Sequence, residues 1–173
     1  MTDRNHDCAK SLKQHASTPV KPYHFLDSGL PNVYLVGVKY WVCEKCGAQS
    51  AEIPAPEQLM NAIGESVVMK PGILTGREIR FLRKRAGKKA ADFAALINKT
   101  PEHFSKLETG GLPLHGPTDK LIRLTYGLLS KNSELLARIS QSVEEWLHSI
   151  HPGKKSPARI QIRKTGKFWS TGS

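Results

Sequence analysis

The sequence predicts an α+β protein in which a small β-rich segment precedes an all-helical one. Three observations carry that prediction. Residues 23–43 read YHFLDSGLPNVYLVGVKYWVC, a β-branched and aromatic run punctuated by Ser28-Gly29, Pro31-Asn32 and Gly37. Between residues 56 and 150 the apolar positions recur instead at helical spacing. With 39% hydrophobic residues, 173 residues can bury one moderate core or two small ones, and the composition lies above the disordered range.

Residues 1–19 are polar, with no periodicity that marks an element. Val33, Leu35 and the run 38–42 predict two or three short antiparallel strands, and 51–53 another, ended by Pro54 and Pro56. These make a β-rich domain over 1–54. Leu59, Met60, Ile63 and Val67 predict a helix at about 56–69, a link over 55–70 that Pro71-Gly72 breaks.

Thr75-Gly76-Arg77-Glu78 is a capping box: the Thr hydroxyl accepts from the Glu backbone while the carboxylate reaches back. It opens a helix to Ala86 with Ile79 and Leu82 inward, Arg77, Arg80, Arg83, Lys84 and Arg85 outward, and Gly87 as its stop. A short helix over 88–98 turns Phe93, Ala94 and Ile97 to one side. Thr100-Pro101 then supplies a cap and a proline at the first helical position, where its missing N–H costs nothing. That helix, TPEHFSKLETG, ends at Gly110-Gly111.

Thr118-Asp119 caps a further helix to about Leu129, with Leu121, Leu124 and Leu128 on one stripe. Asn132-Ser133 caps the last, to about Ile150. In it Leu136, Ile139, Val143, Trp146 and Ile150 form a heptad-like seam, for the chain's own core or for a second copy. Residues 71–150 thus read as one helical domain. Residues 151–173 read as a basic tail with a short strand near 158–163, an arm or a solvated end.

Charge placement bears on function. Net charge is +11; residues 70–90 hold eight Lys/Arg and one acid, and 151–173 hold six and none. All the excess lies in those two segments, which points to a polyanionic partner. No apolar run approaches a membrane span, and MTDRNHDC carries no apolar stretch of a secretory signal, so a cytoplasmic, non-membrane protein is expected. Metalloprotease, phosphate-loop and nucleophile-elbow motifs are missing, so no enzyme is expected.

Two helices with a tight connection, the second poor in apolar residues, describe a helix-turn-helix. Phe104 and Leu107 would seat the second helix, leaving its polar side for a major groove roughly 12 Å wide. Thr100 and the helix N-terminus would grip phosphate, while His103, Ser105 and Lys106 read bases and Glu102 accepts from cytosine. Arg77, Arg80, Arg83, Lys88, Lys89 and Lys99 complete the candidate DNA-binding set as basic neighbours of that helix.

The segment GREIRFLRKRAGKKAADFAALINKTPEHFSKLETG resembles the lambda-repressor-like (XRE) helix-turn-helix at Arg83, Phe93-Ala94, Ser105, Glu108 and Gly110. It departs at Ala90, where the family often has a glutamine that touches the DNA backbone, and at Lys99, where it has an apolar turn residue. With YHFLDSGLPNVYLVGVKYWVCEKCG, IPAPEQL and LTGREIRFLRK, residues 20–130 are similar to the zinc-finger/helix-turn-helix antitoxins of the MqsA-like family. That resemblance implies a zinc-ribbon-like N-terminal domain and a homodimeric, double-stranded-DNA-binding repressor. It further implies an antitoxin that autorepresses the operon of a type II toxin–antitoxin pair, with a toxin as protein partner. A stand-alone XRE-family regulator without a toxin is the alternative, and an RNA- or protein-binding adaptor a third.

Cys43-Glu44-Lys45-Cys46-Gly47 has the form of a zinc knuckle. The family's second Cys-x-x-Cys is represented by Cys8, with Ser11 three residues on. Cys8, Cys43 and Cys46 are therefore the candidate metal ligands, the fourth being unassigned among His6, His15 and His24. Bound zinc and a metal-free set of thiols both stay open. His24, in a strand-like run, reads as a structural histidine, and Trp41 and Trp146 as core.

Overall fold

The computed structural model describes residues 12–130, 132–141, 143–150, 159–166 and 168–171. Among them seven helices and two sheets make an α+β fold. The first sheet is antiparallel, with β1 (Leu12–Ala16), β4 (Lys39–Cys43) and β5 (Gln49–Ala51) in the order β1-β4-β5. The second joins β2 (Tyr23–His24), β3 (Val33–Val36), β6 (Ile160–Thr165) and β7 (Phe168–Thr171) in the order β2-β3-β6-β7.

Two differences from the sequence reading follow. The supposedly irregular stretch 1–19 contributes β1, whose LKQHA is exposed at four of five positions and shows no apolar alternation. The basic tail supplies β6 and β7 rather than a free arm. Moreover, β6 lies parallel to β3, with Val33 opposite Ile160 and Leu35 opposite Ile162, so the sheet is not purely antiparallel. Parallel neighbours need a crossover connection, and here all seven helices lie within it.

Helix α1 (Pro56–Met69) buries Leu59, Ile63, Val67 and Val68. It packs on β6 and β7 as well as on the next helix, so the expected link sits inside a common core. That core runs from Val33, Leu35, Ile160 and Ile162 through Ile63 and Val67 to Ile79, Leu82, Phe93 and Phe104. Trp169 ties the tail down, its indole N–H donating to the Pro54 carbonyl at 2.8 Å.

The break after α1 is held from a distance. α5 (Gly116–Leu129) starts three residues earlier than a cap at Thr118 suggests, with His115 as N-cap. Asp119 is buried within the helix and accepts from the Leu74 N–H at 2.7 Å. Arg123, fully buried, pairs with Asp119 at 2.8 Å and donates to the carbonyls of Val68 at 2.6 Å, Lys70 at 2.8 Å and Gly72. Burial pushes the Asp119 carboxyl up and the Arg123 guanidinium down, a desolvation that these hydrogen bonds offset. Lys70 beside it pairs with Glu78 at 2.9 Å, both side chains buried.

Charge inward puts leucine outward. Leu121 is 40% and Leu128 71% exposed, while Ile122 and Tyr126 face the core. The last helical stretch, α6 (Ser133–Gln141) and α7 (Val143–Ser149), buries Leu135, Ile139 and Trp146, with Ile150 just beyond. Ile139, Trp146 and Ile150 of the seam therefore serve the chain's own core, but Leu135 is buried in place of half-buried Leu136, Val143 is exposed, and the expected single helix is two.

Candidate nucleic-acid interface

Helix α2 (Gly76–Arg85) carries the capping box as the sequence predicts. The Thr75 N–H donates to Glu78 Oε2 at 2.7 Å, and the Glu78 N–H to Thr75 Oγ1 at 3.4 Å. Helix α3 (Ala90–Leu96) buries Phe93 and Ala94, with Ile97 just past its end. The connection then turns through Asn98, whose φ of 53° lies in the left-handed region that asparagine tolerates better than most residues. Asn98 was legible as a turn former, yet the sequence reading did not single it out.

Helix α4 (Pro101–Thr109) follows, capped by Thr100, whose hydroxyl accepts from the His103 N–H at 3.2 Å. Gly110, at φ 79°, ends it and lets the Gly111 N–H reach the Lys106 carbonyl at 2.8 Å. Phe104 and Leu107 are buried, and the Phe104 ring lies against Phe93 with centroids 5.4 Å apart. At the other end of α4, a side chain at Gly76 would collide with the Glu108 carbonyl, so glycine permits the close approach of α2.

With its apolar side anchored, α4 leaves Glu102, His103, Ser105 and Lys106 exposed, as well as Thr100 at its start. Lys89 is exposed beside them, and Lys88 and Lys99 are half-buried. Arg77 and Arg80 are exposed on α2.

Arg83 departs from the expected phosphate-contact role. Its Nε and Nη2 donate to the two carboxylate oxygens of Glu108 at 2.6 and 3.1 Å, and its Nη1 to the Lys88 carbonyl at 2.8 Å. Every nitrogen of the guanidinium is engaged, and Glu108 is itself buried, so Arg83 clamps α2 to α4 instead. Arg80 Nε lies 3.5 Å from the same carboxylate but keeps about half its side chain in solvent.

The Cys43–Cys46 turn joins β4 to β5, with Gly47 at φ 71° and its N–H donating to the Cys43 carbonyl at 2.8 Å. Cys43 is buried and Cys46 exposed. Leu12, at the start of β1, lies opposite Cys43. Cys8 and His6 lie outside the described residues. His24 Nε2 is 2.7 Å from the Pro31 carbonyl and its ring stacks on Tyr34, while His15 stacks on Tyr40. Among the described residues no third His, Cys, Asp or Glu joins the two thiols. The described donors therefore amount to half of a four-coordinate zinc site.

Among the described residues no helix is long and apolar enough to cross a membrane. No family model, no curated protein and no solved structure matches this chain.

Proposed function

We propose that this chain is a sequence-specific DNA-binding repressor that acts as a homodimer, and the antitoxin of a type II toxin–antitoxin pair that represses its own operon. One observation carries the DNA reading. α4 buries Phe104 and Leu107 and presents Glu102, His103, Ser105 and Lys106 outward, between an N-capped start and a left-handed glycine stop. A helix built this way offers donors and acceptors to base edges, with its N-terminus and Thr100 toward phosphate. Lys99 precedes its cap and Lys88 and Lys89 lead into α3, adding positive charge to the helix-turn-helix segment.

The leucines of α5 support a homodimer, since Leu121 and Leu128, seven positions apart on one helix face, stay 40% and 71% exposed among the described residues. Two copies would place two α4 helices in successive major grooves, roughly 34 Å apart. The antitoxin part rests on the resemblance of residues 20–130 alone. A zinc ion at the Cys43–Cys46 turn would complete its shell from outside the described residues, and no step of the reading runs through it.

Selection from random duplexes tests the DNA reading. A palindromic site preferred by ~10³ or more over unrelated duplex supports it, and an unenriched pool overturns it. The antitoxin part predicts that the adjacent reading frame is toxic alone and harmless beside this chain. Harmless expression of that frame by itself removes the toxin and leaves the stand-alone regulator.

A further inference from the structure

A cleft of about 470 Å³ separates α2 from the turn at residues 27–29. Met60 from α1 and Phe81 from α2 give it an apolar floor, while Arg77, Arg80, Lys84 and Arg85 line it against a single carboxylate, Asp27. Arg77 and Lys84 are exposed, and no acid lies within ion-pair distance of either among the described residues. Arg85, by contrast, is fixed by Glu57 at 3.0 Å and Asn61 at 2.9 Å.

This arrangement differs from the Arg83 clamp one turn away, where every nitrogen is matched. Arg77, Arg80 and Lys84 follow each other at three- and four-residue spacing, where like charges destabilise a helix by roughly 0.2–0.5 kcal/mol per pair. An anion in the cleft would relieve that repulsion and give Arg77 and Lys84 an acid partner, which Arg80 and Arg85 already have in Glu108 and Glu57.

We infer that the cleft binds a small organic phosphate. Arg77, Arg80 and Lys84 hold its phosphoryl group, and Met60 and Phe81 receive its apolar portion. A phosphodiester strand offers the same charge but makes no use of the apolar lining of Met60 and Phe81 in this half-open cleft, so the observations favour a small molecule over the DNA backbone. Its occupant bridges the β2–β3 region and α2, which gives it a grip on how the sheet sits against the helix-turn-helix.

Calorimetric titration of the full chain with adenosine 5′-monophosphate, and separately with adenosine, tests this. The nucleotide is expected to bind one to one, adenosine about tenfold more weakly or not at all. Arg77→Ala and Lys84→Ala should each weaken the nucleotide about tenfold without lowering the ligand-free melting temperature, since both side chains are exposed and each substitution removes a like-charge pair. Failure to saturate at millimolar nucleotide overturns the proposal, as does binding that survives both substitutions. Loss of duplex affinity in the two variants, with no nucleotide binding by the parent, also overturns it and assigns these cations to the DNA backbone.

Discussion

Residues 75–110 and the sheet β2-β3-β6-β7 are built by opposite rules. In the helical stretch the caps are local, Thr75 with Glu78 and Thr100 with His103, and the longer Arg83–Glu108 clamp spans 25 positions. In the sheet, Val33 meets Ile160 and Leu35 meets Ile162, with all seven helices lying between. The first region takes its helix ends from its own window of residues, though Arg85 reaches back to Glu57 and Asn61. The second pairs strands far apart in sequence, and α1 and Arg123 join the two.

That contrast breaks most visibly if the tail is removed. A chain ending at residue 158 loses Ile160, Ile162 and Trp169 from the core and its margin. The expected loss is roughly 5 kcal/mol or more, a large part of the usual total for a domain. Urea denaturation measures it; a change within about 0.5 kcal/mol would mark the tail as a solvated end after all.

Next comes the joint. Arg123→Ala strands the Asp119 carboxylate and the carbonyls of Val68, Lys70 and Gly72 in the interior. A loss of about 3–5 kcal/mol is expected by the same measurement. Less than about 1 kcal/mol would show that the break after α1 holds without it.

Within the helical region the effects shrink. Arg83→Ala should lower stability by about 2 kcal/mol while leaving the salt dependence of DNA binding unchanged in slope. A slope reduced by about one, with stability intact, would return Arg83 to the phosphate contacts. Thr100→Ala removes only the cap, for which about 1 kcal/mol is expected, and a melting temperature equal to the parent's would deny the cap its role.

What was legible in the sequence follows the same division. The capping box, Pro101 and Gly110 announce helix ends by local chemistry, and Phe93, Phe104 and Leu107 by spacing. β1 was hidden because LKQHA has no alternation of its own and takes its register from β4. The parallel pairing of β6 was hidden because nothing within residues 151–173 names Val33–Val36 as its neighbour.

Helix α5 was legible only in part, for a different reason. It carries two overlapping stripes, Leu121-Leu124-Leu128 and Ile122-Tyr126, and burial of the second draws Asp119 and Arg123 inward with it. Charged residues are seldom placed inside without partners, and those partners come from α1 and the loop after it. In the candidate interface the one reassigned residue, Arg83, fails similarly: its partner Glu108 lies on α4, beyond the reach of any local pattern.

The reading of α4 as a duplex-facing helix meets its most direct test in the ratio of affinities for a selected site and a scrambled duplex, compared between the parent chain and Lys106→Ala. Lys106 is exposed, so the variant should melt with the parent. The account predicts a ratio of ~10³ or more that falls by about tenfold in the variant. A parent that does not discriminate between the two duplexes, or a variant that discriminates as well as the parent, contradicts it.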